Sequence, residues 1–144
     1  MKFVLTIILV LFSSLAMASV SKQTTQQIFN KMIVSNGIRA SLSFSDSNEI
    51  NAYTSGKHIV VLRGMLKYAD RDVMIAVLAH ELGHSIGYNS ELQADRVSGR
   101  IAAKAGMNVC PGAYKFFVKG PGRNSNDGIH PDGLTRWKAM CKKI

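Results

Sequence analysis

Apolar residues alternate with polar ones in some stretches of the chain and recur every third or fourth position in others. Between Ser21 and Ser35, Ile28, Met32 and Ile33 recur in a polar background and Asn36-Gly37 follows as a stop, which predicts a helix. Ala40 to Phe44 alternates with the period of a strand, Ile50 to Thr54 follows an Asp46-Ser47-Asn48 turn, and His58 to Leu62 follows Ser55-Gly56. Three short strands in a small antiparallel sheet are expected. From Arg63 onward the pattern is helical. Asp70 can cap a helix from Arg71 to about Ile86 that Gly87 ends, and Asn89 or Ser90 can cap another that runs to Ala105 and stops at Gly106. A further helix is predicted over Gly112 to Val118, a mobile loop over Gly120 to Gly128, and a closing helix over Leu134 to Lys143. The order of helix, sheet and helices predicts an α+β domain.

The first residues stand apart from this pattern. Met1-Lys2, the apolar run Phe3 to Leu15 and Ala16-Met17-Ala18 have the form of a signal peptide, 1–18, cleaved before Ser19. The run is shorter than the roughly 20 apolar residues a spanning helix needs. Residues 19–144 then form one domain with a single modest core and no transmembrane segment, in a periplasmic or secreted protein. Export makes a disulfide the default for the pair Cys110 and Cys141, for which the chain-entropy model gives about 3–4 kcal/mol.

Charge is uneven along the chain. Ser19 to Asp95 carries seven Lys or Arg against seven Asp or Glu, whereas Arg96 onward carries ten basic residues against Asp127 and Asp132. Arg96, Arg100 and Lys104 recur at helical spacing, as on a solvated basic face. The excess over residues 96–144 could also attract an acidic envelope surface or protein. No basic motif interleaved with aromatics is present, and nucleic acid is not expected as a partner.

The candidate chemistry lies in Val77 to Arg96. His80-Glu81-Leu82-Gly83-His84 is HExxH, and residues four apart on a helix share a face, so both imidazoles can reach one zinc at about 2.0–2.1 Å. Glu81 is turned away from the pair, yet near enough to take a proton from the attacking water. Two frames compete for the third ligand. Gly87 fits HExxHxxGxxH, but Ser90 stands where the last histidine belongs, and neutral serine is a poor ligand. In the other frame Glu91 ligates the metal from a following helix, and Asp95, one turn on, hydrogen-bonds a ligand imidazole or another polar site residue.

At these residues the sequence resembles the M48-type gluzincin metallopeptidases, which include the CAAX prenyl endopeptidases and periplasmic bacterial members. Asn51-Ala52-Tyr53, followed by Lys57 to Leu66, resembles their edge strand, next strand and turn. Glu91 to Arg96 resembles their ExxAD helix, and Ala105 to Asn108 with Ala113, Phe116 and Phe117 its continuation. His130 to Arg136 matches the late HPxxxxR element, so the resemblance runs from about Ile50 to Lys138. The link of six residues between His84 and Glu91 is a departure, shorter than in many members. It gives some likeness to the ImmA/IrrE-like zincins, typically cytoplasmic regulators, against which the signal peptide argues.

The resemblance implies a zincin-like fold with one zinc ion per chain and hydrolysis of a peptide or protein substrate. It brings His130 close to the metal, to stabilise the oxyanion or to gate the open position. Arg136 could pair with a site carboxylate or be solvated. The substrate backbone would lie as an added strand along Asn51, Ala52, Tyr53 and Thr54. His58 has no partner in the pattern and reads as structural or exposed. The non-enzyme alternative is an envelope binding or chaperone-like module in which zinc is structural and the basic C-terminal third makes the contacts.

Overall fold

The structure is a computed structural model, and it describes residues 19–124 and 130–142. The expected signal peptide, the end of the expected loop and Lys143 lie outside the described residues. Helix α1 (Lys22–Asn36) starts where Ser21 Oγ accepts from the Thr24 N–H at 3.0 Å, and it buries Ile28, Phe29 and Met32. Ile33, expected to point inward with them, is only partly buried against the core.

Strands β1 (Ser41–Ser45), β2 (Ala52–Ser55) and β3 (His58–Leu62) form a sheet of order β1-β3-β2. β2 and β3 pair antiparallel across the Gly56 turn, but β1 and β3 pair parallel, from Ser41 opposite His58 to Ser45 opposite Leu62. The sheet is therefore mixed, which corrects the expectation of an antiparallel one. β3 is the most apolar and β-branched of the three and buries Ile59 and Val61 completely, so it takes the centre with a ladder on each side. The Ser- and Thr-bearing strands take the edges. The link 46–51 crosses the end of β3, with Leu62 N–H donating to Asn51 O at 3.1 Å and Gly64 N–H to Ser47 O at 3.0 Å. A side chain at Gly64 would overlap the Asn48 carbonyl.

His58 does have partners: Ser41 Oγ lies 2.7 Å from its Nδ1 and Ser43 Oγ 2.8 Å from its Nε2. The parallel pairing of β1 beside β3 supplies them, and the sequence pattern did not reveal it.

After the short helix α2 (Arg63–Tyr68), α3 (Arg71–Ser85) is capped by Asp70, whose Oδ1 accepts from Val73 N–H at 2.9 Å. Residues 73–83 of α3 are all buried, which makes it the axis of the single hydrophobic core. Helix α4 (Glu91–Lys104) crosses it and is capped by Ser90 rather than Asn89. The helix predicted over Gly112 to Val118 starts earlier and changes pitch: α5 (Cys110–Ala113) passes into a π-helical turn over Tyr114–Val118. Helix α6 (Gly133–Cys141) packs on α4, and the disulfide Cys110–Cys141 joins it to α5 with Cα atoms 5.5 Å apart. Among the described residues no helix is long and apolar enough to cross a membrane.

Candidate metal centre and catalytic cleft

A cavity of about 550 Å³ opens between β2, the C-terminal half of α3, the start of α4 and the residues Phe116, Phe117, His130 and Arg136. Burial of its apolar residues fixes α3 in the core, and its last turns present His80 and His84 to this cavity. The two rings stand edge to face with centroids 4.6 Å apart, and their Nε2 atoms are 3.1 Å apart. Glu91 enters from α4. Gly87, at φ 102, lies in the left-handed region that favours glycine and turns the chain tightly. Gly83 lets the helices cross closely, since a Cβ there would meet Val97 Cγ1 at 2.9 Å.

Glu91 Oε2 then lies 3.4 Å from His80 Nε2, and Oε1 lies 3.3 Å from His84 Nε2. Two ligands held at 2.0–2.1 Å in a tetrahedral shell stand about 3.3 Å apart, so His80, His84 and Glu91 have the spacing to hold a zinc ion. The rings are also oriented from behind. His80 Nδ1–H donates to Asp95 Oδ1 at 2.8 Å and His84 Nδ1–H to the Tyr88 carbonyl at 2.7 Å, which leaves the two Nε2 atoms, once deprotonated, to face the metal position.

Asp95 is fully buried and so is answered by a cation. Arg136, reaching in from α6, donates through Nε to Oδ2 at 2.9 Å and through Nη2 to Oδ1 at 3.0 Å. Its Nη2 also lies 3.0 Å from Glu91 Oε2, and its guanidinium sits 4.2 Å from the Phe117 ring centroid. Of the two readings of Arg136, pairing with a site carboxylate is the one observed.

The electrostatics follow from these contacts. Burial works against a charged His80, yet the hydrogen bonds to Asp95 and Glu91 outweigh it and push the ring up to about 9. The Glu91 bond raises His84 as well. The hydrogen bonds from His80 and His84 hold Glu91 well below the usual carboxylate range. Burial pushes Glu81 up, opposed by the positive rings of His80 and His84 and by a bond from Thr54.

Thr54, expected only as part of the strand beside the substrate, also touches Glu81. Its hydroxyl is 2.6 Å from Glu81 Oε2 and 3.0 Å from the Glu81 carbonyl, so edge strand β2 holds the carboxylate beside the HExxH pair. The signal was available: Ala52 and Thr54 alternate onto one face of β2, and that face packs on α3. The Tyr88 carbonyl was missed too, because a backbone acceptor leaves no residue-type signature.

Asn51, Ala52, Tyr53 and His130 all line the cleft, as do Phe116 and Phe117 from the π-helical turn. Ser90, which occupies the histidine position of the rejected frame, does not line the cleft and is the cap of α4. The link 85–90 is short because each of its last residues is used: Tyr88 orients His84, Asn89 lines the cleft and Ser90 starts the helix of Glu91.

The model of peptidase family M48 matches residues 19–90. No curated protein and no solved structure matches the chain. The matched span contains β2 and the HExxH stretch of α3 and stops one residue before Glu91, so Glu91, Asp95 and Arg136 lie outside it.

Proposed function

The chain belongs to peptidase family M48, and from that premise we propose that residues 19–144 form a zinc-dependent endopeptidase acting on envelope or secreted proteins. The observation that carries the reading is the 3.1 Å between the His80 and His84 Nε2 atoms, with one Glu91 carboxylate oxygen 3.4 Å from the first and the other 3.3 Å from the second, which suits one tetrahedral zinc. Bound there, zinc would bring a coordinated water's ionisation near neutral pH and polarise the scissile carbonyl.

The chain's own residues supply the rest. Glu81 accepts the proton of the attacking water and returns it to the leaving amine, so that one C–O and one N–H bond replace the peptide C–N bond and one O–H bond of the water. Thr54 keeps that carboxylate in place. Asp95 and the Tyr88 carbonyl hold the imidazoles, and Arg136 neutralises Asp95. β2 is an edge strand along the cleft, so Asn51, Ala52 and Tyr53 can pair with a substrate backbone as an added strand with little side-chain selectivity. His130, on the cleft wall, stabilises the oxyanion or covers the open position. The disulfide and the leader-like 1–18 favour a periplasmic or secreted location.

Hydrolysis of unfolded casein with and without chelator, beside metal analysis, tests the reading. Glu81→Gln keeps zinc and loses activity, and Glu91→Ala loses both. Full activity of the first variant removes the mechanism, and unchanged zinc stoichiometry in the second removes the ligand assignment.

A further inference from the structure

The outer face of α4 carries a basic ridge. Arg96, Arg100 and Lys104 run along it, and a groove of about 340 Å³ on one side is lined by Ile38, Ile86, Tyr88 and Ile101 together with Arg100 and Lys104. A second groove, of about 650 Å³, has Met107, Val109 and Met140 in its wall and Arg96, Arg100 and Lys142 among its lining. Arg100 belongs to both. No carboxylate lines either groove, and among the described residues none of these four cations is in an ion pair. Ile86 and Tyr88 are 44% and 36% exposed beside the ridge.

We propose that this face of α4 docks on an anionic phospholipid surface, with the four cations among the headgroup phosphates and Ile86 and Tyr88 at the level of the acyl boundary. Unpaired cations with no acidic neighbour fit a negatively charged occupant. A ridge with a shallow apolar groove on each side suits a plane better than the single slot that a peptide needs. An aromatic and an aliphatic side chain beside a basic stripe form the pattern of an interfacial element. The turn that offers Ile86 and Tyr88 to this face also gives Asn89 to the cleft, so the two surfaces adjoin.

The test is co-sedimentation of the mature chain with vesicles of phosphatidylcholine alone or with about 30% phosphatidylglycerol, which needs no activity. Binding is expected on the anionic vesicles only and to weaken with salt. Near the surface each Lys or Arg is worth about fivefold in partitioning, so Arg100→Gln with Lys104→Gln lowers it roughly 25-fold. Lys57→Gln with Lys67→Gln, an equal loss of charge elsewhere, leaves it within about twofold. Equal losses in the two double variants, equal binding to neutral vesicles, or capture by polyglutamate without capture by vesicles would each overturn the proposal; the last points to an acidic protein instead.

Discussion

Replacing Asp95 by alanine tests how much of the site's rigidity comes from its buried ion pair. The carboxylate is fully buried and accepts from Arg136 at 2.9 and 3.0 Å and from His80 at 2.8 Å. Alanine leaves Arg136, only 6% exposed, inside the protein with Glu91 as its remaining counter-ion. Removing one partner of a buried pair costs about 3–5 kcal/mol. A domain of this size unfolds with an entropy of roughly 0.25 kcal/mol/K, so the melting temperature should fall by about 12–20 °C. The measurement is thermal unfolding followed by circular dichroism in excess chelator, so that metal binding does not mask the change. Asp72→Ala is the internal standard: it removes an exposed partner of Lys115 at 2.9 Å, worth at most about 1 kcal/mol or roughly 4 °C. An Asp95→Ala protein that unfolds cooperatively within about 4 °C of the parent would refute the reasoning.

Thr54→Val removes the bond to Glu81 while keeping side-chain shape, and is expected to lower kcat by about 10- to 100-fold with KM and zinc content unchanged, with Thr54→Ser restoring the rate; unchanged kcat in the valine variant counts against the positioning role. His80, raised to about 9, must lose its proton to bind metal, so zinc uptake at pH 7 should release protons, seen as a dependence of the calorimetric heat on buffer ionisation enthalpy. The same shift has a stability consequence: a ring raised above its unfolded value of about 6.5 stabilises the metal-free protein below that pH, and the contribution is lost as pH rises towards 9, which denaturant midpoints across that window would show. Cys110→Ser with Cys141→Ser should cost about 3–4 kcal/mol, read as a lowered denaturant midpoint relative to the oxidised parent.

The parts legible in the sequence are those set by local pattern. Alternation placed β3 at its observed bounds, helix caps located α1, α3 and α4, and the four-residue spacings of His80 with His84 and Glu91 with Asp95 put each pair on one helical face. What was not legible depends on partners far along the chain. Parallel pairing of β1 with β3 follows from competition for the sheet centre, which no single strand encodes. His58 looked solitary because its two serines lie across that ladder. Arg136 was ambiguous because its role depends on where α6 docks. The pitch change at Tyr114 left no mark in the apolar spacing.

The donors and the groups that make them useful reach the site over different lengths of chain. His80, His84 and Glu91 lie within 12 residues and one turn between helices, and closing so short a loop costs little entropy. Thr54 meets Glu81 across 27 residues and Arg136 meets Asp95 across 41. Capture of an ion there would thus be a low-contact-order event, within reach of a nascent helical hairpin. Competence to use the ion would need the edge strand and the last helix docked as well, so metal content alone would be a poor proxy for a finished molecule.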